Sequence, residues 1–165
     1  MLCITFLNNF HGDTSKTFLI GNVRDDVRKL VDITYLCMME GIKEVRPGAN
    51  IGNIGAIIQE IAHDNNYSVV EDYCGHGIGR EFHEPPQIVH IGKRGQGAEI
   101  KEGMTFTIEP MINMGKKYCK VLKDNWTVIT KDKKLSAQFE HTLLVTEGGV
   151  DILTLRDEEK NETSL

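Results

Sequence analysis

The chain has 165 residues, of which 40% are hydrophobic and 26% are charged, and this balance predicts a single soluble globular domain. Its formal net charge of -5 argues against a nucleic-acid-binding domain, which normally carries a basic patch or stripe. No stretch approaches the roughly 18 apolar residues of a membrane span, and residues 1–20 lack a secretory signal, so we predict a cytoplasmic protein without membrane contact. The cysteines form no Cys-x-x-Cys pair and are predicted to be reduced and buried: Cys3, Cys37, Cys74 and Cys119.

The first part of the chain is predicted to form a β-hairpin followed by two helices. The apolar run MLCITFL predicts a buried strand, a turn follows at Asn8-Asn9, and KTFLIG predicts the second strand. Apolar residues at helical spacing then extend from a candidate N-cap at Asn22 to Pro47-Gly48. A second helical pattern, carried by Ile54, Ile57, Ile58 and Ile61, ends near Asn65-Asn66.

Beyond residue 67 the pattern changes to short strands rich in β-branched and aromatic residues. These strands are YSVV, MTFTIEPMINM, KYCKVL, WTVIT and LSAQFEHTLLVT. Helices and strands segregated in this way predict an α+β fold, with two helices packed on one face of a mostly antiparallel sheet. The polar, acidic end RDEEKNETSL predicts a solvated tail at 156–165, after a folded domain at 1–155.

The segment CGHGIGREFHEPPQIVH, residues 74–90, has the composition of a metal site. Histidine and carboxylate are the usual ligands of hydrolytic metals, and glycines let the backbone approach a bound group. His76 lies between two glycines and is the strongest candidate ligand. His83 is a second functional candidate, with an ordinary core or surface histidine as the alternative. The other histidines are predicted to lie on the surface: His11, His63 and His90.

Three carboxylates outside this segment are further candidates. Glu109 and Glu140 each lie inside an apolar strand, where an unpaired carboxylate would cost several kcal/mol. The alternative for either glutamate is a solvated position on an edge strand. Asp13, in HGDTS, follows the first hairpin, and its alternative is a turn or a helix cap. Together with His76, these carboxylates favour a shared metal ion, so we expect the four side chains to converge within a few ångströms.

Several motifs in their order along the chain resemble those of type I methionine aminopeptidases, over about residues 10–155. They are HGDTS, YCGHGIGREFHEPPQIVH, GMTFTIEPMIN and DNWTVITKDKKLSAQFEHTLLVT. The resemblance implies the pita-bread fold, in which two pseudo-symmetric α+β halves enclose a dinuclear metal centre, and this chain would hold mainly the second half. The GHGIGREFHEPPQ and SAQFEHT motifs favour this branch over the related creatinase and proline-peptidase branches.

The resemblance also implies a role for each candidate residue. It implies that Glu109 accepts a proton during catalysis, and that His83 hydrogen-bonds the carbonyl oxygen of the scissile peptide. Phe82 and Trp126 match residues beside the pocket for the methionine side chain. The implied metal ligands are Asp13, His76, Glu109 and Glu140.

The implied activity is removal of the N-terminal methionine from nascent proteins. Two divalent ions about 3.5 Å apart would acidify a bridging water, and the resulting hydroxide would attack the peptide carbonyl. Oxygen ligands with one imidazole suit Mn, Fe(II), Co or Zn. The absence of a His-Glu-x-x-His motif argues against the single-zinc peptidase class.

The sequence departs from the family pattern near its start. The family has a first half before position 1, and a second aspartate ligand in an Ile-Asp-x-Thr strand, where this chain reads Leu2-Cys3-Ile4-Thr5. Leu2 or Cys3 takes the place of that aspartate, and a Cys3 thiolate could bind zinc unless the segment is an ordinary apolar strand. Two hypotheses follow: a peptidase completed by a chain that supplies the first half, or a truncated, inactive fragment that self-associates or binds one metal ion or a partner chain. We expect little turnover by the chain alone.

Overall fold

The structure, a computed structural model, describes residues 1–160. In chain order the elements are β1 (Leu2–Leu7), β2 (Phe10–Ser15), α1 (Asp25–Lys43), α2 (Ile51–Asp64), β3 (Ser68–Val69), β4 (Gly75–Gly77), β5 (Glu84–Ile88), β6 (Thr105–Ile108), β7 (Met111–Asn113), β8 (Cys119–Val121), β9 (Val128–Thr130), β10 (Ser136–Gln138), β11 (His141–Thr146), β12 (Gly149–Ile152) and a 3-10 helix (Asp157–Glu159).

The strands pair antiparallel in four sheets within this part of the chain. The largest has the order β12-β11-β6-β4-β5, and a second has the order β10-β7-β3. Two strand pairs, β1-β2 and β8-β9, form separate ribbons. The predicted α+β fold, two helices on mostly antiparallel sheet, is therefore confirmed.

Helices α1 and α2 pack against each other and cover the three-stranded sheet. Their apolar stripes meet in a core that includes Leu30, Met38, Ile42, Ile54 and Ile58. Helix α1 begins at Asp25 rather than after the predicted cap at Asn22, and two aspartates in its first turn favour that end of the helix. No helix among residues 1–160 has the length and apolar content needed to cross a membrane.

The first hairpin differs from its predicted form. Its turn lies at Asn8-Asn9, where both residues have a positive φ, as in a two-residue hairpin turn. Such a turn pairs the residues directly after it with β1, so β2 covers Phe10–Ser15 and the predicted strand KTFLIG is wrong. The expectation of a buried first strand is also wrong, because β1 pairs only with β2 among the described residues and all six of its residues are exposed.

Two predicted strands are each broken at a glutamate. The TFTIEPMIN strand splits around Glu109-Pro110 into β6 of the large sheet and β7 of the three-stranded sheet. The SAQFEHTLLVT strand splits at Phe139-Glu140, into β10 of the three-stranded sheet and β11 of the large one. Both glutamates therefore lie where the chain passes between the two sheets. Segment 74–90, predicted only as a motif, supplies β4 and β5.

Two smaller expectations need correction. The solvated tail expected from residue 156 is wrong for Arg156 and Glu159, because Glu159 is 4% exposed and pairs with Arg156. Residues 161–165 of that predicted tail lie outside the described residues. All four thiols are free, but the prediction that they are buried is confirmed only for Cys37. Cys74 and Cys119 are partly exposed, and the exposed strand β1 carries Cys3 to the surface.

Candidate metal centre

The predicted ligands come from different strands and meet at the junction of the sheets. Asp13 lies on β2, His76 on β4, and Glu140 directly before β11. One ligand atom from each of these residues lies within 4.8 Å of the other two. Glu109 joins them, with its Oε1 atom 3.6 Å from Nε2 of His76.

Neighbouring side chains hold Glu109 and His76 in place. The Thr107 hydroxyl accepts a hydrogen bond from the backbone N–H of His76 (3.1 Å) and donates one to Oε1 of Glu109 (2.8 Å). The Gln138 amide donates to Oε2 of Glu109 at 3.4 Å. Nδ1 of His76 lies 3.0 Å from the Gly77 carbonyl, which can only accept, so Nδ1 carries the proton and Nε2 presents its lone pair to the carboxylates.

The cluster is electrostatically unsatisfied without a cation. Asp13 is 4% exposed and Glu140 is 1% exposed. Oδ1 of Asp13 and Oε2 of Glu140 are buried and have no hydrogen-bond partner among the described residues. Buried polar atoms are nearly always paired, so these two oxygens fit the donor set of a bound metal ion.

The pKa values of these residues also indicate that their charged forms are unfavourable without a cation. Burial, with the nearby Glu109 and Asp13, raises the pKa of Glu140 to about 9. Burial raises the pKa of Glu109 to about 7, with Asp13 contributing and the hydrogen bond from Thr107 opposing. Burial also raises the pKa of Asp13 and lowers that of His76. A divalent cation would relieve the repulsion among three carboxylates and accept a neutral imidazole.

A cleft of about 750 Å³ opens from this cluster to the surface. The predicted substrate-binding residues Phe82, His83 and Trp126 all line it, although Trp126 is 86% exposed. The rings of His83 and His76 lie edge to face with centroids 4.3 Å apart. The cleft thus joins a polar floor to an apolar wall, the combination that orients a small ligand.

The first strand contributes apolar side chains to this cleft. Ile4 pairs with Asp13 in the hairpin register, and Leu2 and Ile4 both line the cleft. Because side chains alternate along a strand, Cys3 points to the opposite face of the hairpin. Leu2, rather than Cys3, therefore occupies the cleft-facing position near the carboxylates, and the hypothesis of a Cys3 thiolate ligand is wrong.

Sequence reasoning missed His90. It was predicted to lie on the surface, but it is 2% exposed, and its Nε2 accepts a hydrogen bond from the Glu109 N–H at 3.1 Å. Burial lowers the pKa of His90 to about 3, so the ring is neutral. His90 lies two residues after the buried Ile88 at the end of β5, so strand alternation would have placed both side chains on the buried face. The prolines Pro85-Pro86 argued against a strand in this segment, so the alternation was not applied.

Known proteins share both the sequence and the fold. Methionine aminopeptidase B of Synechocystis sp. is 59% identical over 149 residues, which are 90% of this chain and 54% of that protein. Methionine aminopeptidase of Escherichia coli (strain K12) is 50% identical over 152 residues, 92% of this chain and 58% of that protein. The chain thus spans little more than half the length of these relatives.

Solved structures extend the similarity to the backbone. The crystal structure of methionine aminopeptidase from Rickettsia prowazekii has a TM-score of 0.90 at 52% identity and covers 92% of this chain and 62% of its own. Prolidase from Pyrococcus furiosus has a TM-score of 0.69 at 28% identity, over 91% of this chain and 39% of its own. These neighbours confirm the pita-bread fold that the resemblance implies. With residues 2–147 also matching the model of this family, the chain belongs to metallopeptidase family M24.

Proposed function

We propose that this chain carries a site that removes the N-terminal methionine of nascent polypeptides, with divalent metal held by Asp13, His76, Glu109 and Glu140. The observation that carries the proposal is the convergence of Asp13, His76 and Glu140 atoms within 4.8 Å at the floor of a cleft. Relatives named methionine aminopeptidases, 50–59% identical to this chain, support the choice of substrate.

The donor set supports Mn, Fe(II), Co or Zn, because three carboxylates and one imidazole are ligands for borderline and hard divalent ions. Bound there, such ions would acidify a water molecule and neutralise charge on the reacting peptide. We propose that Asp13, His76, Glu109 and Glu140 would together hold two such ions. Leu2, an apolar residue on the same strand face as the carboxylates, offers no ligand, so the second ion should bind more weakly than the first.

Protein side chains would then move protons and hold the substrate. Glu109 is proposed to accept the proton of the attacking water, with its carboxylate oriented by Thr107 and Gln138. His83 faces the cleft and is proposed to donate a hydrogen bond to the carbonyl oxygen of the scissile peptide. Phe82 and Trp126 would flank the flexible thioether side chain of methionine.

A second candidate function is binding of a metal ion or a partner chain without turnover. Leu2 in place of a carboxylate favours it, as does a cluster of exposed apolar side chains on the first hairpin: Met1, Leu2, Phe6, Leu7 and Phe10. A large exposed apolar patch usually marks a contact with another protein. A chain that supplies the first half of the fold, or a second copy of this chain, would cover these residues.

The test is release of methionine from a Met-Ala-Ser peptide by the full chain, with Mn, Co, Fe(II) and Zn supplied in turn. We expect slow release by the unmodified chain, faster release by Leu2→Asp, and none by Glu140→Gln. Glu81→Gln removes an exposed carboxyl of the same kind and should behave like the unmodified chain. Equal release by Glu140→Gln and Glu81→Gln would overturn the proposed site. Metal binding without release, even by Leu2→Asp, would favour the second candidate.

The remaining expectations about partners and location are also proposals. We propose no nucleic-acid or membrane partner, and a cytoplasmic location, on the composition and charge of the sequence.

A further inference from the structure

We infer that Arg156 is a positioning residue that clamps β2 to the start of β11 and thereby keeps Asp13 and Glu140 at metal-binding separation. The inference rests on the proposed metal centre. It concerns a residue outside the cleft, in the segment that the sequence indicated was a solvated tail.

The need for a clamp follows from the sheet topology. Asp13 lies on the β1-β2 ribbon, whereas Glu140 adjoins the five-stranded sheet, and no continuous strand ladder joins the two among the described residues. The ribbon and Glu140 meet in one isolated backbone bridge, in which Ser15, at the end of β2, and Glu140 exchange two N–H···O bonds of 2.9 and 3.3 Å. Side-chain bonds around that bridge complete the connection. The Thr142 hydroxyl of β11 bonds the N–H and the carbonyl of Asp13 at 3.0 and 2.7 Å, and Arg156 holds the residues that follow Asp13.

Arg156 supplies bonds to both sides of the bridge. Its NH1 group donates to the Thr14 hydroxyl at 3.1 Å and approaches the Ser15 carbonyl at 3.5 Å. The Thr14 hydroxyl in turn donates to the Glu140 carbonyl at 2.8 Å. One guanidinium thus holds the residues that directly follow Asp13, and through Thr14 it reaches the backbone of Glu140.

The third contact lies on β11. The NH2 group of Arg156 is 3.3 Å from Nε2 of His141, which adjoins Glu140 and is fully buried. Nε2 of His141 also lies 3.3 Å from Oε2 of Glu159, and Nδ1 lies 2.8 Å from the Thr154 hydroxyl. The residue after Glu140 is therefore held from both ring nitrogens, by the Arg156–Glu159 pair on one side and by Thr154 on the other.

Glu159 keeps the guanidinium in this position. Its carboxylate accepts from Nε of Arg156 at 3.0 Å and from NH2 at 2.8 Å, and it also accepts from the Arg156 backbone N–H at 2.9 Å. A buried ion pair of this kind holds a single geometry only when its donors and acceptors are satisfied together. Lysine cannot replace it, because an ammonium group lacks the planar fork that reaches Glu159, Thr14 and His141 at once.

The experiment compares Arg156→Lys with Arg94→Lys in the full chain. Arg94 forms an exposed ion pair with Glu44, so the control makes the same chemical change away from the site. Co(II) affinity is measured by titration calorimetry, the geometry of bound Co(II) by its visible absorption spectrum, and folding by thermal unfolding of the metal-free protein. Residues that orient metal ligands typically contribute 10-fold to 100-fold in affinity, so we expect a loss of about that size and an altered spectrum for Arg156→Lys only.

A second pair of variants serves if Arg156→Lys does not fold. Thr14→Val removes the hydroxyl that links Arg156 to Glu140 and should weaken Co(II) binding, whereas Thr14→Ser keeps the hydroxyl and should restore it. Unchanged affinity and spectrum in a folded Arg156→Lys, or in Thr14→Val, would overturn the clamp while leaving the metal centre intact. An unmodified chain that binds no Co(II) would instead overturn the proposed centre, and the clamp with it.

Discussion

Between pH 5 and 7, the buried Glu140 carboxyl should make the stability of the metal-free protein fall with rising pH relative to that of Glu140→Gln. The pKa of Glu140 is about 9 in the folded chain, against an ordinary value of 4.5. Above pH 4.5 the unfolded chain releases this proton and the folded chain keeps it, so the contribution of this carboxyl to stability falls with rising pH. The contribution of Glu140 is fully present below pH 4.5 and is lost as the pH rises toward 9.

The size of the loss follows from the number of retained protons. One retained proton lowers the free energy of unfolding by about 1.4 kcal/mol per pH unit. Glu109, with a pKa of about 7, retains a second proton over most of this range. The buried histidines act in the opposite direction: burial lowers the pKa of His76, that of His90 to about 3 and that of His141 to about 4, so below about pH 6.5 they release protons on folding and stabilise the chain as the pH rises. Because these histidines are the same in Glu140→Gln, the difference in slope isolates Glu140: the unmodified chain should lose about 1.4 kcal/mol per pH unit relative to Glu140→Gln between pH 5 and 7.

Urea unfolding in the presence of a chelator, at pH 5, 6 and 7, measures these slopes. Asp26, Asp124 and Asp132 have lowered pKa values, so their contributions are lost only at more acidic pH. Glu81→Gln removes an exposed carboxyl and should keep the slope of the unmodified chain. Equal slopes for the unmodified chain and Glu140→Gln, or equal slopes for both glutamine variants, would refute the electrostatic account of the site.

Three further predictions concern the metal, His90 and the helix packing. Added Mn(II) or Co(II) should raise the thermal unfolding temperature more at pH 8 than at pH 6, because binding must displace the carboxyl protons. A larger increase at pH 6 would contradict this prediction. His90→Leu leaves the buried N–H of Glu109 without an acceptor and should cost about 1–3 kcal/mol of unfolding free energy, whereas His90→Gln can still accept and should cost less; equal losses in urea would contradict this role. Gly55→Ala should destabilise the chain by about 1–3 kcal/mol, since the added methyl would meet the Ile91 carbonyl oxygen, and the more exposed Gly148, where a methyl meets nothing, is the control for the same unfolding measurement.

The candidate site was more predictable than the elements that carry it. Glu109 and Glu140 were visible in the sequence because a carboxylate inside an apolar strand has a high desolvation cost unless a partner is present. The break at Glu140 was not visible, since its strand continues as β-prone sequence on either side of the glutamate, whereas Pro110 directly after Glu109 was a signal for the first break that the strand prediction passed over. A local pattern identifies a misplaced charge, but it does not reveal the sheet to which each neighbouring residue pairs.

Long-range bonds account for what the sequence concealed. Arg156 is one of several charged residues in a polar segment, and only the fold brings it to Thr14, 142 positions away along the chain. His90 is similarly identified by the Glu109 N–H that it meets, 19 positions away. The KTFLIG segment shows the converse: its composition suits a strand, but the tight Asn8-Asn9 turn assigns the preceding residues to that pairing.

Metal titration of the purified, chelator-treated full chain tests the central claim most directly. Titration calorimetry with Co(II) near pH 8 would compare the unmodified chain with Glu140→Gln and Glu81→Gln. The convergence of Asp13, His76 and Glu140 predicts that the unmodified chain and Glu81→Gln bind at least one ion with the same affinity, and that Glu140→Gln loses this binding. An unmodified chain that binds no Co(II), or a Glu140→Gln chain that binds it as tightly, would contradict the assignment of this cluster as a metal centre.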